Sequence, residues 1–298
     1  MNSRILLLFF SIFTIGNNVV NGELIKAFHI DCGRKYFTVA QVKEMIDYLA
    51  ANDYNTLELA LGNDGHRFLL DDMSLKFGDK SFESDAVKAA INKGNTFYYD
   101  AGEFNEWTES EMNEILAHAQ NNNIQVVPLV NTPGHMDSIL YACSNLNDID
   151  CSYTKSSRTI DVTKDIAKDF TAAFVSKFID YFKSKGCKYF NLGGDEFAND
   201  IYTTGSMGFG HLIKEGQYGY FISYVNGIAS KIKEAGMIPI AFNDGFYFNG
   251  NTTAGEFDKD YLISYWSPGW GDYKVFPATN LAEMGYKLLN ANGNWYYV

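Results

Sequence analysis

The chain has 298 residues, 46% of them hydrophobic and 16% aromatic, and its 24 basic against 36 acidic side chains leave a formal net charge of -12. With no basic stripe to neutralise phosphates, this balance argues against nucleic acid as a partner, and the lack of any Pro/Ser-rich linker points to one large domain. Aromatic content at this level can fill a core and leave rings over for stacking on sugar faces.

Met1 to Gly22 carries one basic residue, Arg4, then an apolar stretch from Ile5 to Ile15 and a small, polar end, the layout of a secretory signal peptide. The apolar run falls short of the roughly 20 residues a membrane span requires. The predicted layout is therefore a signal peptide over 1–22, a folded domain over 23–298, no stable membrane span, and a secreted or lysosomal destination.

Leu24 to Ile30 reads as a first strand, followed by Gly33-Arg34, and Thr38 is placed to cap a helix over Val39 to Asn52 with Val42, Met45, Ile46 and Leu49 on one face. Thr56 to Leu61 repeats the strand signal and ends at Gly62-Asn63-Asp64-Gly65. The polar and aromatic insertion that follows runs to Trp107, and an insertion of that length at a strand exit suggests a functional loop. A helix over Glu109 to Asn121 and a third strand, Ile124 to Val130, lead to Asn131-Thr132-Pro133-Gly134-His135. Asp165 to Lys185 is predicted helical and Tyr189 to Leu192 is a short aromatic strand closed by Gly193-Gly194. Then come a helix over Tyr218 to Ala235, a fifth strand (Ile238 to Phe242) ending in Asn243-Asp244-Gly245, a sixth (Tyr261 to Trp266), a short helix (Asn280 to Met284) and a seventh strand (Tyr286 to Asn290).

This alternation predicts parallel βαβ units and an α/β (β/α)8 barrel of TIM type with about seven strands present. A doubly wound sheet is the rival. It is disfavoured because no Gly-rich nucleotide turn follows the first strand and polar motifs follow nearly every strand. The eighth strand of a closed barrel is not found before Val298, so open edges, a poorly fixed Tyr296 and a tendency to aggregate are expected. Four cysteines allow three full pairings; Cys143 and Cys151 are close enough to staple one loop, while Cys32 and Cys187 read as buried thiols. Asn251-Thr252-Thr253 is a glycosylation sequon.

The strongest chemical signal is Lys188 to Asn199, in which an apolar strand and two glycines deliver the adjacent carboxylates Asp195 and Glu196 to a strand's carboxyl end. Catalytic groups collect at that edge of parallel α/β folds, and neighbouring acids there can be given different protonation duties. A solvated acidic loop is the bland alternative.

Gly193-Gly194-Asp195-Glu196, Pro133-Gly134-His135, Gly33-Arg34 and Trp295-Tyr296, each at its place in the strand order, together resemble family 20 glycoside hydrolases, the β-N-acetylhexosaminidases. The resemblance runs from about Ile25 to Val298 and is most similar to the bacterial surface type in Asp31 to Phe37 and Ala241 to Gly245. It implies exo-acting, substrate-assisted hydrolysis of glycans ending in β-linked N-acetylglucosamine or N-acetylgalactosamine, with no metal or organic cofactor. The substrate's acetamide oxygen is the implied nucleophile. Glu196 is the implied acid and base, and Asp195 stays ionised to orient the acetamide and balance the oxazolinium charge. Tyr296 donates to the acetamide oxygen, His135 tunes the acid, Arg34 grips ring hydroxyls, and Trp266 walls the acetamide methyl. Trp295 and Asp244 join the implied sugar-binding set.

The pattern also departs from the family's. Where relatives carry two acids after the second strand this chain has Asn63-Asp64; which of the two, if either, supports His135 is left open, and Asp64 joins the implied substrate-binding set. Phe242 replaces a pocket tryptophan, and Val298 stands where an acid is usual. A vestigial sugar-binding protein is thus the second reading, and oligomeric state is left open.

Overall fold

The computed structural model describes residues 24–98, 105–203 and 206–296, so the expected signal peptide lies outside the described residues. Seven parallel strands, β1 (Ala27–Asp31), β2 (Thr56–Asn63), β3 (Gln125–Val130), β4 (Tyr189–Asn191), β5 (Ile238–Phe242), β6 (Leu262–Tyr265) and β7 (Lys287–Asn290), lie side by side in chain order. Their register is set by pairs such as Ala27 with Thr56, Thr56 with Gln125, Tyr189 with Ile238 and Leu262 with Lys287. This is the expected barrel-type winding with seven strands; among the described residues β7 and β1 are not paired with each other.

Because successive side chains on a strand point to opposite faces, each strand splits into two sets. Ile30, Leu57, Leu59, Leu61, Phe190, Ala241 and Ile263 belong to the large core shared with the helices. Ile25, Val127, Tyr189, Ile240, Leu262 and Leu289 form a second, smaller cluster inside the curve of the sheet. Above that inner plug the inward set turns polar, with His29, Asp31 and Glu58 facing a cavity. Apolar pressure thus closes one end of the barrel and leaves the carboxyl ends of the strands to chemistry.

The helices follow from their caps and stripes. Thr38 starts α1 (Val39–Ala51) with a reciprocal capping box to Gln41, and Thr108 starts α3 (Glu109–Asn121) in the same way with Glu111. Helix α5 (Asp165–Ser184) buries Phe170, Phe174, Phe178 and Phe182, a four-residue spacing that lays one aromatic ridge along the helix.

The insertion expected to be a loop is largely ordered secondary structure. It contains a hairpin (Leu75–Phe77 with Lys80–Phe82) and helix α2 (Ser84–Tyr98), and its Phe68 and Phe77 pack on the α5 ridge. The helical period was masked by Asn92, Gly94, Asn95 and Thr96, but Gly94 and Asn95 serve a tight crossing. A Cβ on Gly94 would lie 2.7 Å from the Ser138 carbonyl of α4 (Asp137–Asn147), and buried Asn95 bonds both backbone groups of His66 at 2.9 Å. Helix α4 was also unforeseen, because it starts after Met136 with no side-chain cap. Also not foreseen are α6 (Gly208–Lys214), a short 3-10 turn (Phe248–Gly250) and the terminal α9 (Gly293–Tyr296); α7 (Tyr218–Glu234) and α8 (Ala278–Glu283) stand where helices were expected.

Cys143 and Cys151 are not joined. Both are buried free thiols that share a hydrogen bond, and Cys32 and Cys187 are buried and free as expected. No described helix is long and apolar enough to cross a membrane.

Candidate active site

At the carboxyl ends of the strands a cavity of about 320 Å³ is lined by Arg34, His135, Asp195, Glu196, Trp266 and Tyr296 together with the inward residues His29, Asp31 and Glu58. Six of the residues singled out in the sequence therefore converge on one space. Phe242 lines it too, in the place of the expected tryptophan.

The turn after β4 is built around Asn131, which follows β3. Its Oδ1 accepts the Gly194 N–H at 3.1 Å, and its Nδ2 donates to Asp195 Oδ1 at 2.7 Å and to Asn63 Oδ1 at 3.2 Å. The backbone comes so close that a Cβ on Gly193, at φ +77°, would overlap the Asn131 side chain. The sequence therefore needs glycine there to bring the two acids up against β3. Asn131 lay inside a recognised motif but carried no assigned role; an amide directly before Thr-Pro-Gly-His was the available signal.

His135 links the acids. Its Nε2 is 3.1 Å from Glu196 Oε2 and 3.6 Å from Asp195 Oδ2, and its Nδ1 donates to Asp64 Oδ1 at 2.7 Å. Burial opposes a charge on the ring, yet the Asp195 charge and the bonds to Asp64 and Glu196 outweigh it and push the pKa up to about 10. Burial likewise works against the Asp64 charge, but His135 and Arg34 hold its carboxyl well below the usual range. Arg34 reaches Asp64 Oδ2 through Nε at 2.7 Å and Asp31 Oδ2 through Nη1 at 3.0 Å, and its Nη2 stands 3.2 Å from His135 Nδ1. That last approach brings two cations together, and Asp64 and Asp31 neutralise them. Asp64 thus supports His135 and, at 4% exposure, is not among the residues lining the cavity.

Asp195 was expected to stay ionised. Burial raises its pKa, His135 draws it back, and the Glu196 charge adds to the rise. Glu196 accepts from Asn199 Nδ2 at 2.9 Å as well as from His135. Three of the residues that build this corner, Asp64, His135 and Glu196, have φ of +60°, +50° and +45°, a region non-glycine residues seldom occupy; such strain gathers at functional sites.

Asp244 is placed differently from the expectation that it binds sugar hydroxyls. It is fully buried, its Oδ1 accepts from Trp266 Nε1 at 3.0 Å, and its Oδ2 accepts from the Glu196 N–H at 2.8 Å and from Tyr273 at 2.7 Å. Burial, then the Asp195 charge, raise its pKa to about 7 against those three donors. It braces the acid and the tryptophan wall from behind. Trp295 falls in α9, and its side chain lies outside the described residues. His29, Glu58 and Tyr273 were not foreseen; ionisable residues at inward strand positions were the signal for the first two.

His135, Asp195 and Glu196 bring ligand-type atoms within 4.8 Å of one another. In the metal-free pocket the cluster sets a ring whose neighbours favour its charged form against two carboxylates. It suits proton handling beside a developing positive charge.

Comparison with known proteins bears on the family and the fold. The family model for the catalytic domain of glycosyl hydrolase family 20 matches residues 25–298. The solved structure of a tandem family 20 catalytic module from the pneumococcal exo-β-D-N-acetylglucosaminidase StrH superposes with a TM-score of 0.84 at 41% identity, covering 90% of this chain and 66% of that one. Lacto-N-biosidase of Bifidobacterium bifidum is 26% identical over 240 residues, 78% of this chain and 20% of that protein. Beta-hexosaminidase subunit A2 of Dictyostelium discoideum is 24% identical over 233 residues, 75% of this chain and 38% of that protein. The chain therefore spans about two thirds of the pneumococcal structure and well under half of the two curated relatives.

Proposed function

The chain belongs to glycosyl hydrolase family 20, and from that premise we propose that it is an exo-acting β-N-acetylhexosaminidase that removes terminal β-linked N-acetylglucosamine or N-acetylgalactosamine with retention. The observation that carries the reading is the shared contact of His135 Nε2 with Glu196, at 3.1 Å, and Asp195, at 3.6 Å, on the wall of one sugar-sized cavity.

In this reading the acetamide oxygen of the bound sugar attacks its own anomeric carbon while the Glu196 carboxyl protonates the departing glycosidic oxygen. Asp195, fixed by the Asn131 amide, accepts from the acetamide N–H. The positive charge growing on the oxazolinium ring favours an ionised Asp195 and so opposes the rise in pKa that burial imposes in the free pocket. The Tyr296 hydroxyl donates to the acetamide oxygen, and Trp266, held by Asp244, walls the methyl group. Water then opens the oxazolinium ring and gives a proton to Glu196. Arg34 holds the sugar through ring hydroxyls from a guanidinium whose orientation Asp31 and Asp64 fix.

Because the nucleophile belongs to the substrate, removing the acetamide removes a whole catalytic group. An aryl β-N-acetylglucosaminide should be hydrolysed and the matching aryl β-glucoside left essentially untouched. Equal rates on the two would sink the reading.

A further inference from the structure

Glu58 is an ionisable residue inside the barrel that the mechanism above does not use. Its side chain is 11% exposed, and a carboxylate in such a place costs several kcal/mol unless both oxygens are bonded. Both are: Oε2 meets His29 Nδ1 of β1 at 2.7 Å, and Oε1 accepts from Asn191 Nδ2 of β4 at 2.7 Å. Burial works against a charge on His29, but the Glu58 bond and the charges of Glu58, Asp31 and Asp195 raise its pKa, so Nδ1–H donates. Asn191, fully buried, uses its other atom, Oδ1, to accept the Gly193 N–H at 2.8 Å.

The chain of bonds therefore crosses the barrel interior, from β1 through β2 to β4, and ends on the first glycine of the acid-bearing turn. Strand β4 is only three residues long: each of its residues pairs with β5, but its register with β3, the strand on the Glu58 side, rests on one pair, Leu129 with Asn191.

We propose that Glu58 and Asn191 are positioning residues: a strut, anchored by His29, that fixes the Gly193-Gly194 turn and thereby the reach of Asp195 and Glu196 toward the scissile bond. Hydrogen-bond polarity makes the strut testable by exchange. Asn191→Asp keeps the bond to Gly193 but sets a carboxylate against Glu58. Glu58→Gln alone sets an amide N–H against either His29 or Asn191. In the double variant the glutamine amide donates to the carboxylate now carried by β4, and its oxygen accepts from His29. That carboxylate still accepts from Gly193, and the total charge is unchanged.

The kinetic readout rests on the hexosaminidase reading, so a second, activity-free readout accompanies it. We expect Asn191→Asp to lower kcat on an aryl β-N-acetylglucosaminide by on the order of a hundredfold, with KM within about twofold, and the double variant to recover most of that loss. In parallel, the backbone amide resonances of Gly193 and Gly194 should shift in Asn191→Asp and return toward wild type in the double variant, whether or not the protein turns over substrate. If wild type is inactive while the amides follow this pattern, the strut stands and the functional reading falls. A loss in the single variant that appears in KM, or a double variant no better than the single one in kcat and in the amides while its Tm matches wild type, overturns the strut.

Discussion

His135 Nδ1 stands 2.7 Å from Asp64 Oδ1, both residues almost fully buried, and this bond turns the other ring nitrogen toward Glu196 and Asp195. The histidine is thereby a fixed cation between two acids. Its folded pKa, about 10, exceeds the ordinary 6.5, so its contribution to stability is complete below 6.5 and is lost as pH rises through about 10. The Asp64 pKa moves the other way from 3.8, so its contribution is present above 3.8 and lost as pH falls.

Asp64→Asn should therefore destabilise the fold most between pH 3.8 and 6.5, where both charges are in place, by roughly 3–5 kcal/mol as for breaking a buried pair. Denaturant melts across pH test this, and a penalty that does not shrink as pH rises from 6.5 through about 10 would contradict it.

The two acids should separate kinetically. Glu196→Gln should lose most on substrates with poor leaving groups and recover on activated phenols, because acetamide attack survives in it. Asp195→Asn should lose activity on good leaving groups as well. Matching slopes against leaving-group pKa in the two variants would show that the assigned division of labour is wrong.

Asp244→Asn should impair binding and chemistry together. One amide cannot accept from Trp266, Tyr273 and the Glu196 backbone at once, and each charge-assisted bond lost costs about 1.5–3 kcal/mol. The expected result is a higher KM with a lower kcat and a change in tryptophan fluorescence. If only KM rises, Asp244 acts as the direct sugar ligand that its sequence position suggested.

His66 is fully buried between Phe174 and Phe178, with neither ring nitrogen hydrogen-bonded, and burial drops its pKa to about 3 against a weak opposing pull from the Phe68 backbone. A folded value below 6.5 means the unfolded chain binds the extra proton, so stability falls as pH drops from 6.5 toward 3. His66→Leu should remove part of that acid sensitivity and be neutral or stabilising near neutral pH. Thermal melts at about pH 5 and pH 7, on either side of the ordinary histidine pKa, compare the two proteins directly; an unchanged gap between the melts would place the acid sensitivity elsewhere.

The barrel winding was legible because strands such as Ile238–Phe242 and helices such as Glu109–Asn121 carry their signals locally, in period and caps. The convergence of Arg34, His135, Asp195, Glu196, Trp266 and Tyr296 was legible through motifs at strand exits. Helix α2 was not, because its glycine and asparagines answer to a partner helix and to His66. Nor was the true task of Asp244, since position alone does not say whether a carboxylate faces a cavity or, as here, three donors in the wall. His29 and Glu58 stayed hidden because the bond that explains them joins residues 29 apart on neighbouring strands.

The left-handed backbone at Asp64, His135 and Glu196 bears on how this corner can change over evolutionary time or in a mutant library. Each position has two conditions to meet: the right functional group and a side chain that tolerates positive φ. Valine, isoleucine and threonine fail the second before chemistry is tested, while asparagine, aspartate and glycine meet it at little cost. Neutral drift there is thus channelled toward a few small polar residues. A saturation library screened for folding alone should return those residues first, and one screened for turnover should return almost none but the parent.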